Sequence, residues 1–103
     1  MKCRAFTSLL LAGSLILGAA PAFSAVTMST TGASATRSGN TVTVRDTSAD
    51  SHSVFANVNN TGNRLDNNAG YGASVSRTYG FTVTSVRACV NIQRAPDRCS
   101  NWG

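Results

Sequence analysis

Thr41-Val42-Thr43-Val44-Arg45 alternates polar and apolar side chains with a period of two. The alternation returns at Ser53-Val54-Phe55-Ala56-Asn57-Val58-Asn59 and at Ala73-Ser74-Val75-Ser76-Arg77-Thr78-Tyr79. A period of two assigns one residue set to each face of an extended strand. No helical pattern competes with it. After residue 24 the chain has one leucine, Leu65, and neither glutamate nor lysine. Most of the straight-chain residues that favour helices are therefore missing, whereas Val, Thr, Ser, Asn and Gly supply strands and turns.

The alternation predicts Val42 and Val44 on the buried face of one strand, and Val54, Ala56 and Val58 on that of another. These two are expected to pair as a hairpin around the turn-like residues 46–51. Residues 26–31 and 33–37 are also expected to be extended, before a turn at Ser38-Gly39-Asn40. After a turn at 59–63, Leu65 is expected to point inward. Residues 67–72 form a second loop, carrying Tyr71. Residues 81–93 form the longest strand-like run, with a switch of parity near Ser85 that predicts a bulge or bend. Cys89 has the opposite parity to Val90, which turns its sulfur toward the C-terminal tail. The expected fold is all-β, a small antiparallel β-sandwich or barrel of five to seven short strands.

The N-terminal segment reads differently. Lys2 and Arg4 precede an apolar run through Leu9-Leu10-Leu11 and Leu15-Ile16-Leu17, which ends in the small residues Ala19 and Ala20. Basic start, apolar middle and small-residue end make a secretory signal peptide, expected to begin as a helix. The run is interrupted by Gly13, Ser14 and Gly18 and is shorter than the roughly 20 residues that span a bilayer. Cleavage between Ser24 and Ala25 places small residues, Ser24 and Ala22, at the two positions the peptidase reads. Cleavage after Ala22 is the alternative. Cleavage after Ala25 would put Phe23 at a position that requires a small residue. The expected division is a signal peptide over residues 1–24 and a secreted β domain over residues 25–103, with no stable membrane span after cleavage.

Export changes the cysteine count. Cys3 departs with the signal peptide, leaving Cys89 and Cys99. In an oxidising compartment this pair reads as one disulfide. A cross-link closing about ten residues is worth roughly 3 kcal/mol, and a domain this small needs it, because it buries only about 60% of its unfolded surface. Two cysteines and one histidine are too few for a structural zinc site. The charge changes as well. The whole chain carries +5, but the seven arginines and four aspartates after residue 24 leave +3. The arginines are dispersed, so the basicity reads as a solvated surface without a nucleic-acid partner.

Asp46-Thr47-Ser48-Ala49-Asp50-Ser51-His52-Ser53-Val54, the later Val86-Arg87-Ala88-Cys89 and the tail Pro96-Asp97-Arg98-Cys99 resemble small secreted proteins of actinobacteria such as streptomycetes. The resemblance covers roughly residues 40–103. It implies a single-disulfide β domain with no assigned activity, so it brings no catalytic residue with it. It also implies a host whose GC-rich genome would favour arginine over lysine.

Chemistry-bearing residues are few. Asp46 and Asp50 bracket a turn, where their carboxylates cap nearby backbone donors. Calcium would want six to eight oxygens, more than two aspartates offer. His52 is the only histidine and sits near Asp50, but no serine lies in a nucleophile elbow. The expectation is a protein that is not an enzyme and has no catalytic residue, cofactor or metal. Among the aromatics, Phe55, Tyr79 and Phe81 suit a core, and Trp102 could cover the disulfide. Tyr71, Tyr79 and Trp102 are the candidates for an exposed contact surface, with Tyr71, between glycines, first. The expected function is an extracellular or cell-surface interaction module. Its partner would be an envelope polymer, an extracellular protein or another copy of itself. The alternatives are a small inhibitor of an extracellular hydrolase, using residues 90–98, and an antimicrobial toxin. Edman sequencing of protein recovered from the culture medium checks the export reading: the first residue is expected to be Ala25, and a start at Met1 would overturn it.

Overall fold

The computed structural model describes residues 24–103 and contains eight strands, all of them antiparallel to their neighbours. They are β1 Val26–Thr30, β2 Ala33–Ser38, β3 Thr41–Asp46, β4 Val54–Val58, β5 Asn63–Asn67, β6 Ser74–Thr78, β7 Val86–Val90 and β8 Arg98–Cys99. One sheet has the order β1-β2-β3-β6, the other β5-β4-β7-β8. The two stack as a β-sandwich. The expected signal peptide falls on residues outside those described. The expected cut, between Ser24 and Ala25, falls at their start, where both residues are exposed.

The turns follow from residue type. Gly39 has φ 60 at the first position of the two-residue connection between β2 and β3, the glycine-first pattern of a type II′ hairpin. Gly32, between β1 and β2, has φ +99. A Cβ there would meet Asp50 Oδ2 and Val90 Cγ2, each at 3.1 Å, so both conformation and space require glycine. Asn59 and Asn60 take left-handed φ values of 61 and 52 between β4 and β5, a conformation asparagine tolerates better than most residues.

The core consists of small apolar side chains from both inner faces. Val42, Val44, Val54, Val58, Val86 and Val90 have no exposed surface, and Ala33, Ala35, Ala56 and Ala88 lie among them. Burying each valine contributes about 1.5–3 kcal/mol. Leu65 and Val83 join the cluster, and Met28, Val75, Tyr79 and Ile92 pack on its margin.

Two sequence expectations need correction. The strands carrying Val42–Val44 and Val54–Val58 do not form a hairpin. β3 lies between β2 and β6 and β4 lies between β5 and β7, so residues 47–53 cross from one sheet to the other. Alternation fixes which face is buried but not which edge is shared, and two inward-facing valine sets satisfy it equally well by stacking. The long run over 81–93 also contracts. Only Val86–Val90 is strand, and residues 81–85 are irregular. Asn59 holds them in place. Its Oδ1 accepts from Thr84 N (2.7 Å) and Ser85 N (3.3 Å), and its Nδ2 donates to Thr82 O (2.7 Å). Parity therefore does not carry across this segment. Val83 is buried, while Phe81, expected in the core, is 38% exposed.

Cys89 and Cys99 face each other in the β7–β8 register and are joined by a disulfide. Beyond it the tail continues along β7. Ser100 N donates to Ala88 O (2.8 Å), and Val86 and Gly103 exchange two bonds of 2.9 and 3.0 Å. Asn67, fully buried, links the sheets at the other edge. From β5 its Nδ2 donates to Val44 O (3.0 Å) and Ala73 O (2.9 Å), and its Oδ1 accepts from Ala69 N (3.0 Å).

Both fastenings are testable. Asn67→Ala leaves buried polar groups without their partner and is expected to cost about 1–3 kcal/mol, read as a lower urea midpoint. Cys89→Ser with Cys99→Ser is expected to lose roughly 3 kcal/mol. It should also red-shift the emission of Trp102, the only tryptophan, as the tail detaches. Unchanged emission would mean that the backbone ladder alone holds the tail.

Candidate functional site

The connections gather at the two ends of the sandwich. One end carries residues 31–32, 47–53, 68–73 and 91–97. The other carries residues 39–40, 59–62 and 79–85. The first end holds an open cleft of about 300 Å³ walled by Asp46, Asp50, His52, Asn68, Gly70 and Tyr71.

Its walls are built by local hydrogen bonds. Asp46 Oδ1 accepts from Ser48 N (3.2 Å) and Asp50 Oδ1 from His52 N (3.1 Å). These two consecutive turns bend the crossing chain around the cleft, and Ser51 takes φ 62 between them. His52 Nδ1 faces Gln93 Oε1 at 2.8 Å, so a neutral ring donates from Nδ1 and leaves Nε2 as an acceptor. The opposite wall hangs from β5 and β3. Asn67 holds Ala69 and Ala73 as described, Gly72 N donates to Asp46 O (2.9 Å), and Ala73 N donates to Gly70 O (3.1 Å). Gly70 and Gly72 have φ +105 and +84. This tight turn lifts Tyr71 between them until it is 66% exposed.

The cleft is acidic on a basic chain. It contains Asp46 and Asp50 and no arginine. Among the described residues, the one ion pair within 4.0 Å is Arg64–Asp66, which lies elsewhere, on β5. Asp46 is 3% exposed. Such a wall suits hydroxyl or ammonium donors, with the Tyr71 ring available for stacking. No Ser-His-Asp relay is assembled: Asp50 bonds the His52 backbone, and the ring meets Gln93. No group of three or more His, Cys, Asp or Glu side chains is close enough to hold a metal among the described residues.

The three aromatics suggested as a contact surface are not neighbours. Tyr71 stands at the cleft. Tyr79 lies at the other end, its ring 4.8 Å from that of Phe81 and 5.4 Å from the Arg77 guanidinium, with its hydroxyl buried and without a partner among the described residues. Trp102, on the tail beside β7, is half-buried, and the Arg87 guanidinium lies 5.0 Å over its ring. Asn67 and Gln93 shape the cleft but do not stand out in the sequence. A signal for Asn67 did exist, since it lies two residues beyond Leu65 and so shares its inward parity.

The chain matches no protein-family model, no curated protein and no solved structure.

Proposed function

We propose that this protein is an exported, non-catalytic binding module that engages its partner through the cleft end of the sandwich. Tyr71 carries the reading. A large aromatic ring that is 66% exposed, held on a hydrogen-bonded turn between two positive-φ glycines and beside two carboxylates, has the form of a recognition contact. The ligand class that suits it presents hydroxyl or amino groups, as an envelope polysaccharide or a basic stretch of an extracellular protein does. The disulfide supports an oxidising destination. No helix among the described residues is long and apolar enough to cross a membrane.

A second reading, inhibition of an extracellular hydrolase, draws on the neighbouring loop. Residues 91–97 are closed at their base by Cys89–Cys99 and by the Ile92 N bond to Asp97 Oδ1 (3.2 Å). The exposed Arg94 within them takes φ 63. Preorganised loops of this kind lose little entropy on insertion into a cleft.

One panel separates the readings. In pull-downs from envelope fractions and culture filtrate, Tyr71→Ala is expected to weaken retention at least tenfold, about 1.4 kcal/mol, with an unchanged urea midpoint. Thr43→Ala, on the outer face of the first sheet and away from the cleft, is expected to bind normally. Undiminished retention by Tyr71→Ala would remove the cleft-end reading. Loss of protease inhibition in Arg94→Ala would favour the second. Turnover of a hydrolase substrate that disappears with His52→Ala would overturn both.

A further inference from the structure

Of the four strands at sheet edges, three are short, charged or partly capped. β8 has only two residues and is cross-linked to β7. β5 carries the Arg64–Asp66 ion pair on its outer face. β1 directs only Thr27 and Ser29 outward, and the next outward carbonyl, Thr31 O, accepts from Arg98 Nε at 2.9 Å. β6 is different. It pairs with β3 alone, in the register Arg45↔Ser74 through Thr41↔Thr78. The flanking bonds Asp46 N to Ala73 O and Tyr79 N to Asn40 O show which residues face β3. They are the odd-numbered ones. Ser74, Ser76 and Thr78 therefore turn their N–H and C=O groups outward, and none of these groups has a partner among the described residues. β6 contains no proline, lysine or acid, and its one charge, Arg77, is the only residue on it of the kind that keeps an edge from pairing.

We propose that β6 is a self-association edge: two copies of the chain pair β6 against β6, antiparallel, about a two-fold axis at Ser76. This register is the one the strand itself favours. It sets Ser76 opposite Ser76, and Ser74 opposite Thr78 on each side of the axis. All three outward-facing residues thus become hydrogen-bonded pairs, each exchanging two bonds. Arg77 falls opposite Val75 of the second copy, so like charges do not meet directly across the seam. The outer face is compatible as well. Within one chain its hydroxyls already pair across strands: Thr27 with Thr36 (2.8 Å), Thr43 with Ser76 (2.6 Å) and Thr41 with Thr78 (2.8 Å). Pairing Ser76 with Ser76 continues this ladder through the axis and joins the two four-stranded sheets into one of eight. The interface is isologous and closed, the form most homodimers take.

The test combines a mass measurement with a covalent trap. Sedimentation of the purified protein over a concentration series is expected to move from one chain mass toward two. Ser76→Pro is expected to remain a monomer with only a small drop in its urea midpoint, because the lost N–H serves no bond within the chain and only the hydroxyl contact with Thr43 goes with it. Ser76→Cys avoids any doubt about proline. Hydrogen-bonded antiparallel pairs have Cα atoms about 5.5 Å apart, within disulfide reach. Mild oxidation should therefore give a cross-linked dimer faster than Ser29→Cys on β1 does. A wild-type mass of one chain throughout, together with equal cross-linking of the two cysteine variants, would overturn the proposal. So would a dimer that survives Ser76→Pro, or open-ended polymers, which would mean β6 pairs with β1 of the next chain.

Discussion

The two sheets face each other through side chains that are almost all valine or alanine, and the rest of the structure answers to that shortness. Valine and alanine fill the space between strands that stack closely, but they bury little area per residue. A sandwich of about 80 residues built this way has a limited hydrophobic contribution. Short side chains also let a buried asparagine span from one sheet to the other. Asn67 leaves β5 and donates to two carbonyls of the opposite layer. Because buried amides are costly unless satisfied, the same bonds that permit its burial fix the relative position of the sheets. They also fix the loop that carries Tyr71, so stability and the candidate site share one fastening.

The second fastening works on a different edge. The Cys89–Cys99 bond lies at the start of a tail that runs back along β7 as far as Gly103. The tail occupies the edge of the second sheet, and Arg37 Nε donates across to Gly103 O at 3.1 Å. Had the tail been free, β7 would offer an open row of backbone groups. Closing that edge leaves β6, with three residues turned outward, as the edge on which the proposed pairing rests.

Much of this was legible from residue type and period. The valines of β3, β4 and β7 are buried as alternation predicts, Leu65 points inward, the glycine turns fall where expected, and Cys89 meets Cys99. The errors share a physical origin. Alternation is a statement about one strand's faces, so it could not distinguish β3 and β4 paired in one sheet from β3 and β4 stacked in two. It also assumes continuous extended backbone, and the Asn59 side chain replaces that backbone with an irregular segment at 81–85. A contact spanning from Asn59 to Thr84 leaves no mark in a local pattern. The same holds for the cleft. Asp46, Asp50 and His52 are close in sequence and could be considered together, but Tyr71, Asn68 and Gln93 reach them only through the folded chain.

The arginine-only basicity takes on a different meaning in three dimensions. Arg64 lies flat over Phe55, 3.6 Å from the ring centroid, while its Nε binds Asp66. Arg87 covers Trp102, and Asn57, with its amide oxygen turned to the guanidinium, accepts from its Nε and Nη2 at 3.0 Å each. Arg77 approaches Tyr79, Arg37 holds Gly103, and Arg98 caps Thr31. A planar guanidinium can stack on a ring and donate in its own plane at the same time, which a lysine ammonium cannot. Five of the seven arginines after residue 24 thus serve as roofs and clamps for a domain with a meagre core. Their charge is a by-product of that work and gives little reason to expect an anionic ligand. The aspartates carry the contrasting signal, since two of them wall a cleft that no arginine enters. On a positively charged molecule, a local reversal of sign beside an exposed tyrosine sets the cleft end apart from the rest of the surface, and the binding reading proposed above rests on that contrast.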